Sequence, residues 1–222
     1  QPTHVIAAWD ASEMTFRKEI DPTYKANREP TPDDLRPQFD RVRELLGAFS
    51  IPVVEKGGYE ADDVLGTLAK QAKKAGVQDT IILTLDNDII QLVEPGVRVY
   101  MYRPYQRDYV MYDNQKVRDR FGFDPLQMID YKGLVGDTSD NIPGVKGIGD
   151  KGAKSLINEW ASLENMLANL DSIEPKRTQT ALRNGRDSAV HSKMLATIVT
   201  EVPDLTLQLD AANRNNYERA EA

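Results

Sequence analysis

Cysteine is absent from this 222-residue sequence, and histidine occurs twice, as His4 and His191. Without thiols there is no disulfide framework, no cysteine-ligated zinc or iron–sulfur site and no thiol nucleophile. Two imidazoles are too few for a His-rich metal centre and leave His-based triads without support. Long apolar runs are missing too: Ile81-Ile82-Leu83-Thr84-Leu85 falls far short of the ~20 residues that span a bilayer. No secretory leader pattern is present, and low-complexity tracts, internal repeats and Gly/Ser linkers are absent. These features predict a soluble intracellular protein with a core that needs no staples.

An excess of basic residues, the usual mark of a phosphate binder, is also lacking. Lys and Arg number 28 against 35 Asp and Glu, a formal net charge of −7. That argues against a nucleic-acid partner only if the acids are evenly spread. They are not.

Residues 4–10 form a short apolar run ending on Asp10, the pattern of a strand buried on both faces. Residues 11–29 are polar, with no firm period. Thr31-Pro32-Asp33-Asp34 then reads as a helix start. Leu35, Phe39, Val42, Leu46 and Phe49 follow at helical spacing, which predicts a core-facing stripe. A strand is expected over 51–55 and a helix over 60–75, with Ala61, Val64, Leu65, Leu68, Ala69 and Ala72 on one face and Gly76 as the stop. Residues 80–86 read as a strand ending on Asp86, followed by a short helix at 88–93 and a strand at 97–102. This alternation predicts an α/β fold with a mostly parallel sheet flanked by helices. Beyond Asp113 the pattern is helical to about Thr200, broken by a Gly-rich hairpin at 144–149. The expected organisation is an α/β core over 1–112, a helical subdomain over 113–202 and a tail over 203–222.

The acids gather where such a sheet would place a site, at the carboxyl ends of strands. Asp10 and Asp86 end two strands, and Asp88 follows closely. Glu60, Asp62 and Asp63 open a helix, while Asp137 and Asp140 lie in the loop Gly136-Asp137-Thr138-Ser139-Asp140-Asn141. A single Asp at a strand end commonly just caps a neighbour. Four such groups at successive sheet-edge positions would repel one another and call for divalent cations. An all-oxygen donor set favours Mg²⁺ or Mn²⁺ over zinc. Taking these eight from the 35 acids leaves 27 against 28 basic residues, so the remainder is slightly basic at +1.

The stretches Tyr59-Glu60-Ala61-Asp62-Asp63-Val64, Thr84-Leu85-Asp86-Asn87-Asp88, Gly136-Asp137-Thr138-Ser139-Asp140-Asn141-Ile142-Pro143-Gly144-Val145 and Gly147-Ile148-Gly149-Asp150-Lys151-Gly152-Ala153 resemble the signatures of the 5′-nuclease (flap endonuclease) family. This family includes the 5′→3′ exonuclease domain at the front of bacterial DNA polymerase I. Tyr24-Lys25-Ala26-Asn27-Arg28 with Pro30-Thr31-Pro32 is similar as well. The resemblance implies a PIN-like core with a helical arch at about 12–32 and a helix–three-turn–helix DNA-binding element at 144–160. It also implies a structure-specific nuclease with two divalent metals that cuts DNA at 5′ flaps, nicks and 5′ ends during replication and repair. Asp10, Glu60, Asp62 and Asp63 would serve the first metal, and Asp86, Asp88, Asp137 and Asp140 the second. Such a pair, about 4 Å apart, activates a water and stabilises the leaving oxygen.

Lys25 and Arg28, three apart and sharing a face if helical, would contact the scissile phosphate from the arch. Tyr24 would stack beside a base, and Arg17 and Lys18 would extend a basic wall. Gly144, Gly147 and Gly149 would let the hairpin backbone approach a phosphate, with Lys146, Lys151 and Lys154 supplying charge and one K⁺ bound by backbone carbonyls. Two departures stand out. Leu85 and Asn87 replace the family's usual Gly and basic residue. The family also begins roughly 50 residues earlier, with a strand that is central in a doubly wound sheet and ends in a metal-binding Asp. A fragment of a longer protein is therefore expected, with apolar surface uncovered on the neighbouring strands. The resemblance further implies a monomer in the bacterial cytoplasm, associated with the nucleoid, without a membrane partner, and with a polymerase domain in the native protein. Two competing readings are a non-catalytic DNA-structure-binding module and a PIN-type endoribonuclease. The second leaves the Gly-rich hairpin unexplained.

Overall fold

Helix α3 (Ala61–Lys74) shows how local sequence and tertiary packing combine in this chain. Glu60 caps it in extended conformation, and a reciprocal capping box joins Glu60 and Asp63, satisfying donors that the first turn leaves open. Lys73 and Lys74 complement the helix dipole at its end, and Gly76 leaves the helix at φ +85°. Val64 and Leu68 pack with Val202 and Leu205, with Ile6, Ala8, Val54 and Tyr59 against them. The polar face also works. Thr67 Oγ1 accepts from Val202 N at 3.1 Å, and Gln71 accepts from Leu207 N and donates to Leu205 O, both at 2.7 Å. An extended segment from Val199 is thereby zipped along the helix.

The computed structural model describes residues 1–11 and 14–216. Residues 12 and 13 of the expected arch and residues 217–222 of the expected tail lie outside the described residues. Packing divides the chain into two units. The first comprises Gln1–Ile20, Arg28–Ala75 and the segment from Val199; the second comprises Asp21–Asn27 and Gly76–Ile198. The two units interleave along the chain, because the later strands pack with the helices that follow them, while the segment from Val199 returns to α3.

In the first unit β1 (Ala7–Ala8) pairs in parallel with β2 (Val53–Val54). Helix α1 (Phe16–Ile20) is short, since Pro22 disfavours helical backbone at Asp21; no helix spans the expected arch among the described residues. Helix α2 (Arg36–Ala48) starts later than Thr31 suggested, after a turn closed by Leu35 N to Pro32 O. Its stripe corrects the sequence reading more substantially. No residue of α2 is buried, and Phe39 and Leu45 are 42% and 55% exposed. Phe39 touches Trp9 edge-on at 6.0 Å, and the Arg43 guanidinium lies over the same indole at 4.7 Å.

The second unit holds a three-stranded sheet, β3 (Thr80–Thr84), β4 (Val97–Arg103) and β5 (Asp108–Tyr112). The first pair is parallel and the second antiparallel. Strand β5 was not expected, although Tyr109-Val110-Met111-Tyr112 has strand composition. Arg107, in left-handed backbone, closes its hairpin by donating to Arg103 O at 2.8 Å. Val97, Val99 and Met101 alternate inward. On β3 only Ile82 is buried, while Ile81 and Leu83 are 48% and 67% exposed.

Helices α4 (Asn114–Phe121), α5 (Met128–Val135), α6 (Asp150–Trp160), α7 (Leu163–Ala168), α8 (Lys176–Asn184) and α9 (Arg186–Ala196) complete this unit, while α10 (Leu209–Ala212) belongs to the first. Helices α5 and α9 approach closely at Gly133, where a Cβ would lie 3.0 Å from that of Lys193. Lys193 in turn donates to the buried Asp130 at 2.6 Å, and Asp130 accepts from Leu163 N at 2.9 Å, tying three helices together. No helix among the described residues is long and apolar enough to cross a membrane.

Between α5 and α6 the chain doubles back. Asp137 and Ile142 exchange both backbone hydrogen bonds, at 2.8 and 2.7 Å, and Gly136 and Gly144 lie backbone to backbone at the base of the loop. A Cβ on Gly144, which has φ +64°, would sit 2.3 Å from Gly136 N. Gly147 also has positive φ, at +95°, but open space around it. Gly144→Ala is therefore expected to cost about 3 kcal/mol or more, since a clash with main-chain atoms adds to backbone strain of about 1–3 kcal/mol. Gly147→Ala should incur the strain alone. Thermal unfolding of the two variants, followed by near-UV circular dichroism, checks the difference. Equal losses would mean that the glycine contact does not close the loop.

Candidate functional site

The first unit gathers its acids at the start of α3. Asp10 follows β1, and its Oδ1 accepts from Ala61 N at 2.7 Å, where the positive end of the helix dipole favours an anion. Glu60 is 8% exposed, and its oxygens lie 3.5 Å from Thr15 Oγ1 and 3.9 Å from Arg17. Asp62 is half-buried in the first turn.

Asp63 has a different role. It is fully buried and accepts four hydrogen bonds: two from the Arg17 guanidinium at 2.7 and 2.8 Å, one from Glu60 N at 3.0 Å and one from Val199 N at 2.8 Å. Both oxygens are engaged, so the geometry makes Asp63 an anchor for α1, α3 and the returning segment. Its partner departs from expectation for the same reason. Arg17 is 2% exposed and cannot stand in a solvent-facing basic wall. Deleting one member of such a buried pair typically costs about 3–5 kcal/mol, because the other charge is left uncompensated.

In the second unit Asp86 lies beyond the end of β3, and its Oδ1 accepts from Asp88 N at 2.8 Å. Asp137 Oδ1 accepts from Ser139 N at 2.8 Å and Ser139 Oγ at 2.6 Å. Lys132, on α5, donates to both Asp88 and Asp137 and holds the two carboxylates together. Burial pushes the Asp88 carboxyl up to about 6 in spite of Lys132, with Asp86 adding repulsion. Burial acts the same way on Asp137, but the bonds from Lys132 and Ser139 outweigh it and hold that group below the usual range. For Lys132 burial disfavours the charge, and the two aspartates reverse the balance and raise its pKa. Among the described residues no three His, Cys, Asp or Glu side chains form a ready metal cage. An ammonium occupies the space between Asp88 and Asp137, so a cation already fits that pair of donors.

Asp140 is 7% exposed and joins residues 21–27 to the acidic loop. Its Oδ2 accepts from the Tyr24 hydroxyl at 3.3 Å and lies 3.9 Å from Lys25 Nζ, while its carbonyl accepts from Lys25 N at 2.9 Å. Asn27 donates to Thr138 O at 2.7 Å, and Asn141 to Thr23 O at 2.8 Å. Tyr24 is 3% exposed and packs with Ile142, Leu195 and Ala196, so its ring presents no face for base stacking in this conformation. Lys25 has φ 57° and Arg28 lies beyond the same run of turns, which removes the shared helical face expected of them. Arg28 is exposed and Lys18 half-buried.

In the hairpin, Gly144 is covered by the chain itself, donating to Ser192 Oγ at 2.9 Å and accepting from Ser188 Oγ at 2.6 Å. Gly147 and Gly149 face open space, and Lys146 and Lys151 are exposed nearby. Lys154 is committed in part to Asp150 at 2.8 Å.

Sequence reasoning missed Lys132, Thr15 and the Asp21–His191 pair. A lone lysine in the apolar run Met128-Ile129-Asp130-Tyr131-Lys132-Gly133-Leu134-Val135 was the available signal. Asp21 accepts from Thr23 Oγ1 at 2.7 Å and lies 2.8 Å from His191 Nε2. These hydrogen bonds, Thr23 first and then His191, bring its pKa down to about 2. A depressed carboxylate contributes stability that is full above its unfolded value of about 3.9 and lost as pH falls through the folded one. The stability gap between the parent chain and Asp21→Asn should therefore be constant above pH about 5 and shrink toward pH 2. Urea unfolding across this range checks it, and a gap that widens in acid would exclude the pairing.

Comparison with known proteins shows which family the chain resembles. DNA polymerase I of Chloroflexus aurantiacus is 48% identical over 99% of the chain, that of Caldicellulosiruptor bescii 45% over 99%, and that of Bacillus subtilis 41% over 91%. The chain spans only about a quarter of these relatives: 23%, 26% and 23% of their lengths. Its fold is similar to that of the bacteriophage T5 5′-exonuclease with bound divalent metal ions (zinc), at a TM-score of 0.75 and 24% identity over 88% of this chain and 74% of that one. The bacteriophage T5 flap endonuclease, in a pseudo-enzyme-product complex with DNA and metal ions, gives a TM-score of 0.73 at 23% identity over the same shares, 88% and 74%. Residues 1–122 match the 5′–3′ exonuclease N-terminal resolvase-like domain. Residues 123–220 match the 5′–3′ exonuclease C-terminal SAM fold, and with both halves accounted for, in order, the chain belongs to the 5′–3′ exonuclease family.

Proposed function

We propose that this chain is a metal-dependent 5′→3′ exonuclease and 5′-flap endonuclease module, hydrolysing DNA phosphodiesters to leave 3′-hydroxyl and 5′-phosphate ends. The observation that supports it most directly is the pair Asp88 and Asp137, from segments 49 positions apart by their numbers, gathered around one cation in a chain of this family. Asp86, Asp88, Asp137 and Asp140 would hold one divalent cation, and Asp10, Glu60 and Asp62 another. Oxygen-only donors favour Mg²⁺ or Mn²⁺. When bound, such ions activate water and stabilise the leaving oxygen of an in-line displacement.

The chain's own side chains bind and orient the nucleic acid. Lys25 and Arg28 would neutralise the scissile phosphate, the first held by Asp140. Lys18 would add charge nearby in sequence. Gly147 and Gly149, with Lys146, Lys151 and Lys154, would receive a phosphate of the duplex, with K⁺ on the hairpin carbonyls. Phosphate contacts fix position without reading bases, so little discrimination among DNA sequences follows. With such a substrate the module would act at the bacterial nucleoid, beside a polymerase domain such as the relatives' names imply, and as a single copy.

Asp86→Asn or Asp137→Asn in the full-length protein should abolish Mg²⁺-dependent cleavage of a 5′-flap duplex while leaving flap binding intact or tighter, because negative charge beside a phosphate is removed. Near-parental cleavage by either variant would reject that ligand. Flap binding without cleavage by the parent protein would make the module a binder of DNA structure, and preference for single-stranded RNA would make it an endoribonuclease.

A second measurement separates chemistry from positioning. Lys25→Ala or Arg28→Ala is expected to slow single-turnover cleavage by ~10²-fold or more. Lys151→Ala should instead weaken binding and reduce the slope of log affinity against log salt by about one. A pure binding defect in Lys25→Ala would remove that residue from the chemical step.

A further inference from the structure

Lys132 stands where two of the proposed ligands meet. Its side chain is 12% exposed, and those of Asp88 and Asp137 are 14% and 16% exposed. The ammonium donates to Asp88 Oδ1 and Asp137 Oδ2. The other Asp137 oxygen is taken by Ser139, at 2.8 and 2.6 Å. Asp137 therefore has its Oδ2 left to offer a cation, and Lys132 occupies it. Asp88 is held in place by its own backbone N–H, which donates to Asp86 Oδ1 at 2.8 Å. A divalent ion that used both Asp88 and Asp137 would need the oxygens that the ammonium now contacts.

We propose that Lys132 is a built-in counterion of this acidic group: it holds Asp88 and Asp137 together in the metal-free protein and competes with the divalent cation for the same oxygens, setting the affinity of the site. This rests on the reading of the group as a metal site. Two physical effects act in the same direction. The ammonium must give up its oxygens before both can ligate a metal, and its charge repels an approaching dication. Removing it leaves two carboxylates facing each other in a partly buried place, which raises the free energy of the metal-free state. Any ion that binds the folded protein then relieves more strain and stabilises it more. Lys132 is thus a positioning residue. It keeps the acids assembled without metal and keeps the metal exchangeable.

The test is isothermal calorimetry of Mg²⁺ and of Mn²⁺ with the full-length protein, its Lys132→Met and Lys132→Gln variants and the Asp137→Asn control, together with thermal unfolding with and without the ion. Expected is a lower melting temperature for both Lys132 variants without metal, a larger rise on adding metal, and Kd about tenfold lower, equivalent to about 1.4 kcal/mol. Glutamine retains donors for the carboxylates, so it guards against a folding defect in the methionine variant. In the parent protein the ¹⁵Nζ resonance of Lys132 should shift as Mg²⁺ is added, a change that a purely structural lysine would not show. Equal or weaker metal binding by both variants, or an unmoved Nζ resonance, overturns the inference while leaving the metal site standing. If the parent protein binds neither ion, or Asp137→Asn binds as well as the parent, the metal-site reading fails and the inference fails with it.

Discussion

Carboxylates withdrawn from water repel one another, and in each unit the fold answers with a cation from a helix. In the first, Arg17 meets Asp63 in a fully buried, bidentate pair. In the second, Lys132 spans Asp88 and Asp137, and Lys193 satisfies Asp130. A buried ion pair is seldom a net source of stability compared with apolar packing, since desolvation offsets the attraction. Its effect here is registry. Arg17 and Asp63 fix α1, the start of α3 and Val199 in one arrangement, and Lys132 fixes the loop after α5 to the turn after β3.

This constraint sorts the acids by role. Asp63 spends both oxygens on the protein and becomes part of the frame. Asp10, Glu60 and Asp62 stay at the start of α3, where the helix dipole tolerates negative charge. Asp140 holds Tyr24 and Lys25 to the acidic loop, so a cation proposed to meet phosphate is positioned by a carboxylate proposed to meet metal. Removing negative charge at Asp140 would therefore disturb two parts of the machinery at once.

Backbone geometry does comparable work at the hairpin. Gly136 and Gly144 let two main-chain segments approach more closely than any side chain permits, and Ser188 and Ser192 on α9 fasten the turn from behind. The exposed glycines, Gly147 and Gly149, are then left at the outer end. One motif thus divides its glycines between closing a loop and presenting open backbone. That division cannot be seen in the string Gly144-Val145-Lys146-Gly147-Ile148-Gly149.

Much of the molecule was legible in its sequence, and for identifiable reasons. Helix α3 was readable because its apolar spacing, acidic first turn and terminal glycine all point the same way, and the acid groups because no basic residues interrupt them. The α/β-then-helical order was readable from the switch in hydrophobic period. What the sequence could not decide were questions of pairing and burial. The apolar stripe of α2 has the period of a core helix, yet burial depends on whether another element covers it, and here none of its residues is buried. Strand β5 owes its existence to the edge of β4. Local propensity specifies elements and residue chemistry, whereas the partner of each charge is set by which segments the tertiary structure brings within a few ångströms. For that reason Lys132, one residue in an apolar helix, became central only in three dimensions, and Arg17 and Tyr24 moved from the surface to the interior.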